Sequence, residues 1–173
     1  NVTRAQFAKM VMEAIGLHTP EIEGLDDPTF KDVRPVYKQG QPEVYPFDYI
    51  EEAAALGIVT GFSDGYFRPY RAITRTQLVL MIVRGAAAAG APLPLYEGDE
   101  RVFVDVIPSH PRYREIMTAY SAGILSGSLV NGRLYFYPDS SASRNHVAKM
   151  TANLVGHIVG YVSPEPGDTL PEP

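Results

Sequence analysis

Leu56-Gly57-Ile58-Val59-Thr60-Gly61-Phe62-Ser63-Asp64-Gly65-Tyr66-Phe67-Arg68-Pro69-Tyr70-Arg71-Ala72-Ile73-Thr74-Arg75-Thr76-Gln77 is the stretch that organises the chain. Gly57 reads as a helix stop and Asp64-Gly65 as a turn. Thr74 with Gln77 fits a capping box, in which the hydroxyl and the third-position side chain satisfy orphan amides at a helix start. Every one of these parts occurs again elsewhere in the sequence.

Thr3-Arg4-Ala5-Gln6-Phe7-Ala8-Lys9-Met10, Thr74-Arg75-Thr76-Gln77-Leu78-Val79-Leu80-Met81 and Ser143-Arg144-Asn145-His146-Val147-Ala148-Lys149-Met150 are three versions of one helix start, 71 and 69 residues apart. Phe30-Lys31-Asp32-Val33 returns as Phe103-Val104-Asp105-Val106, and Ala55-Leu56-Gly57-Ile58-Val59-Thr60-Gly61 as Ser121-Ala122-Gly123-Ile124-Leu125-Ser126-Gly127. Tyr66-Phe67-Arg68-Pro69 returns as Tyr135-Phe136-Tyr137-Pro138. The chain therefore holds two and a half copies of a unit of about 70 residues. The boundaries are a closing helix of a truncated first copy (1–24), a second copy (25–96), a third copy (97–160) and a Pro-rich linker tail (161–173). By the same logic the helix at Thr3 lacks a preceding segment of about 40 residues, and the parent protein is expected to continue upstream.

Apolar residues at helical spacing (Phe7, Met10, Val11, Ala14 and Leu17; Leu78, Met81 and Ile82; Val147, Met150, Leu154 and Ile158) give each closing helix one stripe for packing. Ser143 with His146 fits the capping box less well than the other two pairs. Shorter helices are expected from about Asp48, as a cap with Glu51 three residues on, to Leu56, and from about Pro111 to Ala122. Asn131-Gly132 is a further turn signal, and Gly85 to Leu95 reads as a helix end followed by an exposed connection.

With 173 residues, 45% hydrophobic and 20% charged, the composition is that of a globular protein, and no apolar run approaches the ~20 residues needed to cross a bilayer. A net charge of -5 argues against a non-specific nucleic-acid binder, which needs a basic face. The absence of Cys removes thiol catalysis, disulfides and thiolate metal sites together.

Arg4, Arg75 and Arg144 each sit one residue past a helix cap, where the macrodipole disfavours a cation. A compensating partner is needed three times. One reading is an anion site, with amides, dipole and guanidinium converging on a carboxylate or phosphate. The other is that Arg fastens its own copy to the next, donating to helix C-terminal carbonyls or to Asp32 and Asp105; both readings stay open. Asp32 and Asp105 themselves are expected as local backbone caps. Gly57 and Gly123 end helices, while Gly61 and Gly127 begin loops whose backbone could meet a ligand closely. Eleven Tyr and no Trp supply candidate sugar platforms at Tyr37, Tyr45, Tyr49, Tyr66, Tyr70, Tyr113, Tyr135 and Tyr137, most of them expected to be packing residues. His18, His110, His146 and His157 show no metal-ligand spacing, and no Ser, His and acid form a nucleophile motif. The acidic pairs Asp26-Asp27, Glu51-Glu52 and Asp99-Glu100 read as solvated faces. No enzyme, cofactor or metal is expected.

Phe-x-Asp-Val, a helix, and then Leu56 to Gln77 together resemble the S-layer homology module, over Val2 to about Ile158. The resemblance implies a mostly α, pseudo-threefold helical bundle of helix-loop-helix repeats, with short connecting segments, long loops and prongs that enclose grooves. It also implies an extracellular place in the bacterial cell envelope or S-layer, and non-covalent anchoring through a cell-wall polysaccharide or peptidoglycan-linked polymer, commonly a pyruvylated one. In that family the Arg of the helix-start motif meets the acidic sugar, which maps onto Arg4, Arg75 and Arg144. Groove-lining loop positions map onto Gly61, Ser63, Asp64, Gly127 and Ser128. Asp32, Asp105, Tyr49 and Tyr113 are structural or groove-lining, the two Tyr standing where the family often has Trp. Here the motif's closing Glu is Gln6, Gln77 and His146, and the second copy carries extra residues between Val36 and Pro46. A structural module that assembles with other copies or other surface proteins, without binding glycan, is the alternative.

Overall fold

A computed structural model describes residues 1–19, 27–38, 41–43 and 45–161. The expected boundary at residues 24 and 25 and the tail beyond residue 161 lie outside them. In chain order the elements are α1 (Arg4–Ile15), β1 (Val36–Lys38), β2 (Gln41–Glu43), α2 (Phe47–Ala55), α3 (Arg75–Ala88), α4 (Tyr113–Ser121), β3 (Ser128–Val130), β4 (Arg133–Tyr135) and α5 (Arg144–Gly160). The fold is thus mostly helical, with two small antiparallel hairpins, β1 with β2 and β3 with β4. Helix α1 packs on α2, α3 and α5, and α3 packs on α4 and α5.

All three closing helices begin with a complete capping box. Thr3 and Thr74 accept from the Gln6 and Gln77 amides, while those side chains accept from the cap amides. The third box also closes, with the His146 ring in place of a carboxamide, although its two bonds are longer at 3.3 and 3.5 Å. Sequence spacing undervalued it because an imidazole Nδ1 offers the same acceptor at the same reach. Just upstream, Val2, Ile73 and Ala142 are joined in a closed cycle of backbone bonds. Ile73 donates to Val2 at 2.9 Å, Ala142 to Ile73 at 2.8 Å and Val2 to Ala142 at 3.5 Å.

Other expectations need correction. Asp48 does not cap α2. Pro46 holds the cap position without a side-chain bond, and Asp48 lies buried in the first turn. Helix α4 starts at Tyr113 rather than Pro111, with Arg112 at its cap position. Gly85 is inside α3, packed where a Cβ would stand 3.0 Å from Val11 Cγ2, and Ala91 and Leu93 beyond the helix are buried. The connection therefore folds back over apolar surface. The hairpins were not anticipated, since three-residue strands show no usable alternation. Asn131 (φ 49°) and Gly132 (φ 73°) form the left-handed pair that such a two-residue turn requires.

Five Phe side chains, Phe7, Phe47, Phe67, Phe103 and Phe136, are fully buried and anchor the core. Phe30 packs on Phe67 with ring centroids 5.2 Å apart, and Phe103 on Phe136 at 5.7 Å. The Phe-x-Asp-Val motif and the aromatic-x-Pro motif of one copy therefore share a core. Gly61 and Gly127 seal it from above. A Cβ would lie 2.7 Å from Phe30 Cε1 at Gly61, and 2.6 Å from Leu134 Cγ and 2.7 Å from Phe103 Cε1 at Gly127. The close approach that these glycines permit is to a Phe ring of their own copy.

Gly127→Ala should lower stability by about 1–3 kcal/mol through overpacking. Gly156→Ala, where an added Cβ meets nothing within 4 Å, should raise stability by up to about 1 kcal/mol by removing a helix-interior Gly. Urea unfolding midpoints of the two variants should move in opposite directions.

Candidate functional site

In the second copy the Asp32 carboxylate accepts from the backbone amides of Phe67 and Arg68, both at 2.7 Å. In the third, Asp105 accepts from Phe136 at 2.8 Å and Tyr137 at 2.6 Å. Each pair of amides precedes a Pro, and Arg68 (φ 59°) and Tyr137 (φ 57°) sit in the left-handed region. Such a conformation costs about 1 kcal/mol or more in a non-Gly residue. Two charge-assisted bonds offset it and fix the loop.

The same loops receive the Arg side chains. Arg4 Nε donates to the Phe67 carbonyl at 2.8 Å and Nη2 to the Thr60 carbonyl at 3.1 Å; Arg75 Nε donates to the Phe136 carbonyl at 2.6 Å. The first amides of these helices are occupied too. Arg4 and Ala5 donate to the Arg71 and Pro69 carbonyls, and Arg75 and Thr76 to Ser140 and Pro138. At Arg4 and Arg75 the fastening geometry is therefore present, with loop carbonyls as acceptors rather than the Asp carboxylates or helix ends. Both side chains are buried, at 4% and 5% exposure. Arg144 differs: it is exposed, with no hydrogen bond to any described residue, beside an open cavity of about 420 Å³ shared with Val2, Lys9, Met10, Tyr45 and Val147.

Arg4, though buried, also borders a cavity. A cavity of about 150 Å³ is lined by Arg4, the 58–62 loop, and Gln77, Leu80, Met81 and Arg84 of α3. The Phe62 ring at its edge has guanidinium groups of Arg68, Arg4 and Arg71 at 4.2, 5.0 and 5.9 Å. Burial, and then the neighbouring Arg71, lower the Arg4 pKa to about 10, so the side chain stays cationic at neutral pH. Burial likewise lowers that of Arg75, opposed by Asp105. A chain with net charge -5 thus concentrates positive charge around one cleft.

The other expected site residues are distributed differently. Gly61 lines the cleft. Ser63 is exposed, and Asp64 pairs with Arg68 at 2.6 Å while accepting from the Tyr66 amide at 3.1 Å, so it shapes the turn. Gly127 packs on Phe103, and Ser128 opens β3. Tyr49 is buried, stacked on His18 at 3.8 Å and donating to Glu13, a bond that pushes its pKa up to about 12. Tyr113 is buried and donates to the Glu100 carbonyl at 2.7 Å. Tyr49 thus packs between His18 and Glu13, whereas Tyr113 also lines an open cavity of about 370 Å³ with His110, Arg114 and Thr118. Tyr135 and Tyr137 stack at 5.5 Å, whereas the Tyr37 side chain lies outside the described residues. Glu51 and Glu52 are staples rather than a solvated face. Glu51 accepts from the Thr29 amide, and Glu52 holds His18 and Thr19.

Sequence reasoning missed Phe62, Arg68, Arg71 and Arg84, because it weighed what the copies share. The signal lay in what they do not. The aligned residues of the third copy are Ser128, Tyr137, Ser140 and Asn153.

Comparison with known proteins follows the same repeat frame, for the S-layer homology domain model matches residues 29–79 and 102–148. The chain belongs to the S-layer homology family. A surface-layer 125 kDa protein of Lysinibacillus sphaericus is 26% identical over 91% of the chain, and a cell surface glycoprotein 1 of Acetivibrio thermocellus is 30% identical over 68%. An endoglucanase of Bacillus sp. (strain KSM-635) is 27% identical over 69% of the chain. The chain spans only 12%, 5% and 12% of these three relatives, in that order. The S-layer homology domain is a non-catalytic anchoring module, and the endoglucanase aligns through it. Family and relatives put this chain outside the cell, at the envelope, in a cell-surface anchoring role.

Arg4→Ala should destabilise the domain by about 2–3 kcal/mol, since it leaves the buried Phe67 carbonyl without that donor and frees the Thr60 carbonyl, whereas Arg144→Ala should stay within about 0.5 kcal/mol. Denaturant titration separates the two. Burial and the nearby Arg75 also hold the His146 pKa below its ordinary value. The unfolded chain therefore binds the proton more readily, and stability should fall as pH drops below about 6.5. His146→Gln, which matches the other two boxes, should reduce that loss in unfolding curves measured at pH 7.5 and 5.5.

Proposed function

We propose that the domain anchors its parent protein by binding an acidic cell-wall polysaccharide, such as a pyruvylated one, in a groove between repeats. The observation that carries this reading is the cleft between Arg4 and α3, edged by the Phe62 ring and its three guanidinium groups. A planar cation that presents several N–H donors suits a ketal-linked carboxylate, and an aromatic face beside it suits the apolar side of a pyranose. Arg4 then has two tasks, holding the loop through Nε and Nη2 while offering the cleft its charge.

The repeat boundaries at 1–24, 25–96 and 97–160 and a pseudo-threefold arrangement of α1, α3 and α5 belong to the same proposal. The closed cycle through Val2, Ile73 and Ala142 supports it, because each residue plays one role in three successive copies. The alternative, assembly with other surface chains, draws on the exposed Arg144 and the open, partly apolar cavity beside it.

The glycan reading predicts cosedimentation with purified bacterial sacculi that is lost after acidic substituents are stripped and weakened by high salt. Retention on stripped sacculi would overturn it. Light scattering of the isolated chain addresses the alternative, for which a concentration-dependent oligomer is expected.

A further inference from the structure

The second and third copies set different helix residues across from the loop that follows their helix-ending glycine. Across from the 58–62 loop, α3 presents Leu80 and Arg84; the aligned residues on α5 are Lys149 and Asn153. In the third copy those two side chains bridge the gap. Lys149 Nζ donates to Ser126 Oγ at 3.1 Å, and Asn153 Nδ2 donates to the Gly123 and Ile124 carbonyls at 3.1 and 3.0 Å. On α1 the aligned residue is Glu13, which accepts the Tyr49 hydroxyl.

Arg84 stands apart from both counterparts. It is half-buried in the cavity wall and has no hydrogen-bond or ion-pair partner among the described residues. A guanidinium carries five N–H donors and loses hydration when partly buried, so an unpartnered one facing a cleft is matched to an acceptor from outside the chain. From Gln77 to Arg84 is two helical turns, about 10 Å of axis, so the two residues stand at opposite ends of one cleft wall.

We infer that Arg84 is a ligand-binding residue, taking a carboxylate or phosphate oxyanion of the wall glycan, and that this cleft rather than its counterpart at Arg75 is the working groove. The inference rests on the glycan reading above. Leu80 leaves the entrance open where Lys149 bars it, so the two grooves of one chain differ in function although they share one motif.

Binding of the 173-residue chain to Lysinibacillus sphaericus sacculi tests it. The sacculi are used untreated, after mild acid that removes ketal-linked carboxylates, and after hydrofluoric acid that removes phosphodiesters. Arg84→Gln should weaken binding about ten-fold with an unchanged unfolding midpoint, and Arg84→Lys should recover part of it. Lys149→Ala should leave binding unchanged, while Lys149→Leu with Asn153→Arg should raise capacity by opening a second groove. Loss of binding after one treatment identifies the oxyanion. If Arg84→Gln binds as wild type while Phe62→Ala does not, the inference falls and the glycan reading stands. A ten-fold loss with Lys149→Ala overturns the choice of groove. Failure of the wild-type chain to bind untreated sacculi, or unchanged binding after both treatments, overturns both.

Discussion

One peptide group in each complete repeat carries two loads of opposite sense. In the peptide joining Phe67 to Arg68 the Arg68 amide gives its proton to Asp32 and the Phe67 carbonyl accepts from Arg4; in the peptide joining Phe136 to Tyr137 the partners are Asp105 and Arg75. Asp and Arg never touch, yet each polarises the peptide in the direction that strengthens the other's bond. This relay ties Phe-x-Asp-Val, the aromatic-x-Pro corner and the next helix start into one unit. The left-handed Arg68 and Tyr137, the buried Phe pairs and the glycines above them all follow from holding that peptide in place.

The relay also explains a cation at a helix start. The first-turn amides that would repel a guanidinium are spent on carbonyls of the neighbouring loop, and the Arg reaches past them to a further carbonyl. What looks like an anion-binding helix terminus is, at two of three places, a joint between copies. Behind that joint Arg4 borders the cleft, to which the second copy adds Phe62 and Arg84, with Arg68 and Arg71 over the Phe62 ring.

Much of this was legible in the sequence because it repeats. The five helices and the two helix-ending glycines each rest on a local rule applied at matching positions, whereas Asp32 and Asp105, expected as local caps, instead hold amides 31 to 36 residues further along the chain. Features made by distant partners were not legible in the same way. Nothing next to Asp48 announces that it lies buried near His18, or that Glu52 holds the end of the first helix. Gly61 and Gly127 drew notice as loop glycines, but the Phe ring beneath each comes from about 25 to 30 residues earlier in the chain, beyond the range of local turn chemistry. The candidate groove was obscured for the opposite reason, since alignment of copies highlights agreement and its distinctive residues are those on which the copies disagree.

The sequence distance across the relay bears on how the protein reaches its place of work. Arg4 and Phe67 are 63 residues apart, and Arg75 and Phe136 are 61. An envelope protein must cross a membrane first. As the chain emerges from its N-terminal end, a helix start has no loop to lock onto until about sixty more residues have followed, and closing so long a loop is slow compared with forming a helix. The same long-range wiring that joins the finished copies therefore closes only late, after the whole span between its ends is available to fold.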